Sequence, residues 1–388
     1  MDALGHADLV AFLGASLDAG IVPCVWGDPG VGKSAVVAAC ATTAGLPCEP
    51  LILSQLDPTD IGGVPVVLAD DGGHRHATRA SVSRALRAAC EAPTLLFLDE
   101  ASQASPAVQA AAMRLIHDRE VADRHLHPGT RIVLAANAAG QAAGGSDFAL
   151  PLIGRLTHIR YAPSVADVIA YFEGPGAERE AGALAGPARE RFGALLSEWA
   201  AIAGARPGLI QVAPPGGADA AAGLDISSSL YSSPRNIVRA LRGLAAAEER
   251  GASPAVCDAL VVGAVGADAA LVWGAVRRAR ASLPSAREIA AEPSKAALPA
   301  SMDGGLALLG LLPEIVAASP WSAWIYVARV LAATAKTGEP YPGATEAAVV
   351  AGHALNRRAA APGEGLPRAA EGKAARAAAH VSLATLGR

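Results

Sequence analysis

Two groups of residues in this chain have the types and spacing of phosphate chemistry. The first is Gly27-Asp28-Pro29-Gly30-Val31-Gly32-Lys33-Ser34, which fits GxxxxGK(S/T). Its glycines let successive backbone N–H groups turn toward an anion without Cβ clashes, Lys33 can reach β- and γ-phosphates, and the Ser34 hydroxyl suits Mg²⁺. A helix beginning at such a loop adds its own N-terminal polarity to the anion site. The second group is Asp99-Glu100, at the end of the apolar run Thr94 to Leu98. An aspartate delivered by a buried strand can hold a magnesium shell, and the glutamate after it can polarise an attacking water. Together the two groups predict a nucleoside triphosphate site.

The flanking segments are of the kind that must position these residues. Ile21 to Trp26 reads as a short buried strand, and Ser34 to Ala44 as a helix of small residues closed by Gly45; strand, glycine loop and helix follow in the required order. Cys48 to Ser54 predicts a second strand and Thr130 to Asn137 another. Between them, Ser105 and Pro106 are an N-cap and first-turn pair for a helix to His117 or Asp118. Asn137 ends an otherwise apolar strand, so on a parallel sheet its amide falls beside Asp99 and Glu100, where it can orient water. Arg155 precedes a last strand at Thr157 to Tyr161. An arginine at that edge reaches a neighbouring subunit's γ-phosphate more easily than its own, a contribution of about 10³ to 10⁵ in rate where it occurs. Ser233, Pro234 and Arg235 then open a helix, which projects the Arg235 guanidinium from a fixed start toward a bound phosphate.

Composition narrows the class. At 388 residues the chain has room for two or three domains. Hydrophobic residues make up 52% but aromatics only 4%, so the apolar excess is alanine and points to helices. Ala259 to Val276 carries Asp268, and Gly304 to Leu312 stops at Pro313-Glu314, so neither reaches about 20 uninterrupted apolar residues. The first residues carry no secretion signal, and cytoplasmic residence is expected. Cys24, Cys40, Cys48, Cys90 and Cys257 form no CxxC pair and read as reduced structural thiols. A net charge of −4 gives no global bias toward nucleic acid. The pairs His74/His76 and His125/His127 have HxH spacing without further ligands to complete a metal site. Beyond Ser164 the chain becomes helices broken by loops such as Ala213-Pro214-Pro215-Gly216-Gly217, and Trp321 and Trp324, near a helix over Ala323 to Ala335, suit core packing ahead of a partner contact. Arg357 to Arg388 reads as a weak helix or mobile tail.

With loop, acid pair, Asn137, Arg155 and Ser-Pro-Arg235 in this order, the chain resembles the MoxR-like branch of the AAA+ ATPases over roughly residues 5 to 250. The resemblance implies an α/β P-loop fold with a parallel sheet of 51432-type order, then a helical lid and a helical C-terminal extension. It implies Walker A at Gly27 to Ser34, Walker B at Asp99 and Glu100, sensor 1 at Asn137, an arginine finger at Arg155 and sensor 2 at Arg235. Domains are expected at 1–163 (core), 164–280 (lid) and 281–388 (extension). It further implies ATP with Mg²⁺, hydrolysis to ADP, and a hexameric homo-oligomeric ring. A protein client is remodelled in chaperone fashion; Val262 to Gly266 and Ser282 to Pro284 resemble the tails of members encoded beside von Willebrand A domain proteins. Leu53 to Gly63 with a hairpin over Val64 to Ala77, turning at Asp70 to Gly73, and a short hairpin within Arg119 to Gly129 resemble pore-facing insertions. Leu156 and Ala138 stand where the family often has phenylalanine and proline. Two other readings compete: a nucleic-acid-stimulated motor, against which the acidity and lack of a stacking stripe argue, and a nucleotide-gated scaffold without useful turnover.

Overall fold

The computed structural model describes residues 3–69, 75–81, 83–137, 148–211, 230–299 and 301–337. Contacts divide the described residues into two compact units: 3–167 with 211 and 233–235, and 168–210 with 230–232 and the residues from 236 on.

The first unit is built on a six-stranded parallel sheet. Its strands are β1 (Ala3–Leu4), β2 (Pro23–Trp26), β3 (Cys48–Ile52), β6 (Leu95–Asp99), β9 (Arg131–Ala136) and β10 (Thr157–Tyr161), in the order β1-β10-β2-β9-β6-β3. Leaving out the short edge strand β1, the five remaining strands stand in the expected 5-1-4-3-2 order. Two antiparallel ribbons lie apart from this sheet: β4 (Val64–Ala69) with β5 (Arg75–Ala80), and β7 (Glu120–Val121) with β8 (Arg124–His125). The expected turn at Asp70 to Gly73 and residue His74 lie outside the described residues, as does Ala138.

Parallel strands covered on both faces should be apolar without alternation, and here they are. Leu96 and Leu98 of β6, Ile132 and Leu134 of β9 and Cys24 of β2 point into one core. Leu95, Phe97, Val133, Ala135 and Val25 point into the other. Helix α1 (His6–Ala19) and α2 (Lys33–Thr43) supply Leu9, Leu13, Val36 and Val37 to the second of these cores. α3 (Pro58–Gly62), α4 (Arg84–Glu91), α5 (Pro106–His117) and α6 (Leu150–Ile153) pack Ile61, Leu86, Leu115 and Leu152 into the first. Caps fix where these helices begin: the Ser105 hydroxyl accepts from Val108 N–H at 3.3 Å ahead of Pro106. Gly45, at φ 67°, follows the end of α2 as expected. The strand anticipated from Ile21 starts at Pro23 instead, because Ile21 belongs to the end of α1: its N–H returns to Ser16 O at 2.9 Å past the left-handed Gly20.

Helices make up the second unit: most of α7 (Val165–Glu173), α8 (Pro175–Ala181), α9 (Gly186–Ala205), α10 (Pro234–Glu249) from its third residue, α11 (Pro254–Val265), α12 (Ala267–Ala281), α13 (Ala286–Ala291), α14 (Met302–Ala318) and α15 (Pro320–Thr337). Trp199 and Trp273 pack with ring centroids 4.9 Å apart at its centre, and Trp324 is buried on α15. Buried Glu198 lies 3.6 Å from Arg280, which also pairs with Glu314 at 2.6 Å. None of the five cysteines is in a disulfide, and no helix among the described residues is long and apolar enough to cross a membrane.

Candidate nucleotide site

All strands of the sheet run in one direction, so their C-terminal ends share an edge, and the middle three deliver the chemistry there. β2 ends at Trp26 and enters the loop, β9 ends at Ala136 before Asn137, and β6 ends on Asp99. The loop is held to its neighbour by Gly27 N–H donating to Ala136 O at 3.2 Å. Gly30 and Gly32 sit at φ 79° and 98°, a region closed to most side chains, and Gly32 leads directly into α2 at Lys33.

Lys33 is only 8% exposed, and its ammonium spends its three donors within the site. They go to Gly27 O at 2.7 Å, Asp28 O at 3.1 Å and Asn137 Oδ1 at 2.8 Å. Burial pulls the Lys33 pKa down to about 8; Arg235 pushes the same way, against Asp99 and Asp28. Ser34 Oγ donates to Asp99 Oδ2 at 2.9 Å. Asp99 Oδ1 in turn accepts from Glu100 N–H at 2.8 Å, and Glu100 adopts φ 54°, a left-handed conformation that costs a non-glycine residue roughly 1–2 kcal/mol. Strain of this kind collects where a side chain must be aimed. Asn137, 9% exposed, is set by its own N–H, which donates to the buried Ser102 Oγ at 3.1 Å.

Both arginines are exposed, and they differ in place. Arg235 stands at the second position of α10 and is grouped with the sheet unit; its Cβ lies 3.5 Å from where a Cβ on Gly30 would be. It therefore borders the loop. Arg155 lies in the turn after α6, two residues before Thr157, whose strand partner is Pro23 at the start of β2. That puts it at the opposite edge of the sheet from the loop, across a four-residue strand of roughly 13 Å at ~3.3 Å per residue. Its guanidinium donates to Pro151 O at 2.7 Å.

Three contacts at this edge were not foreseen. Ser54, in the turn after β3, donates to the Glu100 carboxylate; Ser102 orients Asn137; and Ser233 Oγ stands 3.0 Å from the position a Gly30 Cβ would take. Ser54 and Ser102 carry no local pattern, and only the strand order brings Ser54 to Glu100 and Ser102 to Asn137; the Ser-Pro pattern at Ser233 marks a helix start and says nothing of Gly30. His125 and His127 hold no shared ligand set: His127 Nδ1 accepts from Gly129 N–H at 3.0 Å, and no metal-capable cluster occurs among the described residues.

The sequence model that matches this region is the ATPase family associated with various cellular activities (AAA), over residues 23–160. Those residues form an AAA domain. The match begins at β2 and ends within β10, so it takes in the loop, the acid pair, Asn137 and Arg155. Among solved structures, NtrX from Brucella abortus superposes with a TM-score of 0.37 and 19% identity over 65% of this chain and 53% of that one. A protein from Cytophaga hutchinsonii described as a putative ATPase gives 0.34 and 14% over 68% and 82%. The chain thus spans about half the length of NtrX, and neither overlap bears on activity. No curated protein matches the chain.

Proposed function

We propose that the AAA domain binds ATP with Mg²⁺ and hydrolyses it to ADP and phosphate. In this reading the protein is a MoxR-like AAA+ member acting in the cytoplasm as a homo-oligomeric ring, hexameric by resemblance. The observation that carries the chemistry is the convergence of two hydrogen-bonded pairs, Lys33 with Asn137 and Ser34 with Asp99, on one sheet edge. A serine hydroxyl beside a carboxylate is a donor set of hard oxygens that suits Mg²⁺. Ser34 and Asp99 would hold the ion, which when bound neutralises charge on the phosphates. Lys33 turns its ammonium from the loop carbonyls to β- and γ-phosphate oxygens, with the loop N–H groups around it. Glu100 polarises the attacking water, Asn137 orients it, and Arg235 offsets charge from beside Gly30.

Arg155 cannot join this set in its own subunit, since the length of β2 separates them. It serves the site of the next subunit, which makes the ring a requirement of the chemistry. Residues 1–163 act as the core, 164–280 as a lid and 281–388 as an extension, and ATP and ADP, contacted differently, shift lid against core. The product is a remodelled or activated protein partner, with a von Willebrand A domain protein the class favoured by the C-terminal resemblance. Phosphate release from wild type and Glu100→Gln tests the assignment. Glu100→Gln should bind ATP as wild type does and release phosphate about 10²-fold more slowly, whereas equal rates would remove Glu100 from the chemistry.

A further inference from the structure

Trp26 is the last residue before the phosphate loop, and its indole is tied to the turn that carries Arg155 through a single side chain. Trp26 Nε1–H donates to His158 Nδ1 at 2.8 Å, and His158 Nε2 lies 3.0 Å from Ile153 O. An indole nitrogen can only donate. His158 Nδ1 must therefore be bare, its proton rests on Nε2, and Nε2–H donates to Ile153 O. The register explains the meeting: β10 pairs Arg160 with Trp26, so His158 is the diagonal neighbour on the same face, with rings 5.9 Å apart.

Ile153 ends α6, and its carbonyl also accepts from Leu156 N–H at 3.2 Å, while Arg155 N–H returns to Leu152 O at 3.1 Å and the Arg155 guanidinium to Pro151 O. Residues 151 to 156 are thus one tight turn with Arg155 on it, and His158 fastens that turn from below. Phe148 also packs against the indole, with ring centroids 5.2 Å apart.

We propose that His158 is a positioning residue that couples occupancy of a subunit's own phosphate loop to the turn presenting Arg155. A loop that closes on phosphates moves its first residue's neighbour, Trp26; the indole carries that shift to the imidazole, and the imidazole to the Ile153 carbonyl. The sheet alone does not transmit it, because Arg155 lies at the other edge. This rests on the reading of Arg155 as a residue that acts on the adjoining subunit, so the test includes a readout that needs no hydrolysis.

His158→Phe removes both hydrogen bonds and keeps a ring, whereas His158→Gln retains an acceptor and a donor on one carbon. In the full-length protein His158→Phe should lower kcat about tenfold, the equivalent of one hydrogen bond, with KM within about twofold of wild type. His158→Gln should recover most of the rate. Trp26→Phe should match His158→Phe, and the double variant should be no slower than either alone. Independently, ATP should slow amide hydrogen exchange over residues 150–156 in wild type but not in His158→Phe, whose ATP affinity is kept. Equal exchange protection in His158→Phe, or a loss of ATP affinity in step with rate, would overturn the proposal. An inactive wild type that still shows His158-dependent protection would refute the hydrolysis reading and leave the coupling standing.

Discussion

The sheet unit and the helical unit bury charge in opposite ways. In the first, Lys33 lies beneath the glycine loop with its donors on two loop carbonyls and Asn137, and burial draws its pKa to about 8. All of its partners are groups that a phosphate can replace. In the second, burial raises the Glu198 pKa while Arg280, Arg191 and Arg277 oppose the shift, and nearby Glu248 pairs with both Arg191 and Arg277. Those partners are fixed charges, Arg277 and Arg280 on α12 and Arg191 on α9 itself. The same cost of burying an ion is therefore spent on binding in one unit and on cohesion in the other.

The largest effect should come from breaking the first arrangement at its far edge. Arg155→Ala should reduce ATP turnover about 10³-fold while ATP binding to each subunit, measured by equilibrium fluorescence titration, persists. Next, Lys33→Met should weaken ATP binding by about 10- to 100-fold, since hydrogen bonds to charged groups contribute about 1.5–3 kcal/mol. Removing a buried ammonium should leave the unfolding midpoint unchanged or raise it. Glu198→Ala should do the reverse: about 1–3 kcal/mol of stability lost, moderated because Arg280 keeps Glu314, with ATP affinity intact. Trp199 and Trp273 report that transition by fluorescence.

The mildest test is pH. Free Lys33 titrates near 8, whereas bound phosphates favour its charged form, so binding takes up a proton above that pH. ATP affinity should hold from pH 6 to 7.5 and then fall about tenfold by pH 9. Calorimetry in two buffers of different ionisation enthalpy reads the uptake. For the free protein the sign is opposite: a depressed lysine pKa means the unfolded chain holds more protons between about 8 and 10.5, so stability rises with pH there.

Much of the sheet unit was legible because its constraints are local. Glycines at Gly30 and Gly32 answer a backbone requirement, and Leu95 to Leu98 or Ile132 to Ala136 are apolar on both faces because both are covered. Polar residues that end such runs, Asp99 and Asn137, stand out for that reason. The contacts that were missed depend on register: Ser54 with Glu100, Ser102 with Asn137, and Trp26 with His158 join residues 35 to 132 positions apart. Edge strand β1, two residues long, has no pattern to read. In the helical unit alanine blurs the apolar stripe, so few bounds were readable: the start at Pro234 was, and the helix expected over Ala323 to Ala335 runs from Pro320 to Thr337. Glu198 gave no sign of being buried, since its partner Arg280, which Glu314 also engages, comes from a distant helix.

In the proposed ring, one catalytic site takes Glu100 from one subunit and Arg155 from the next. Rings assembled from a mixture of Arg155→Ala and Glu100→Gln subunits test it, because each variant alone lacks one half and a mixed interface regains both. Phosphate release should reappear on mixing and peak near equal proportions. Mixed rings, verified by mass, that stay as inactive as the separate variants would contradict it.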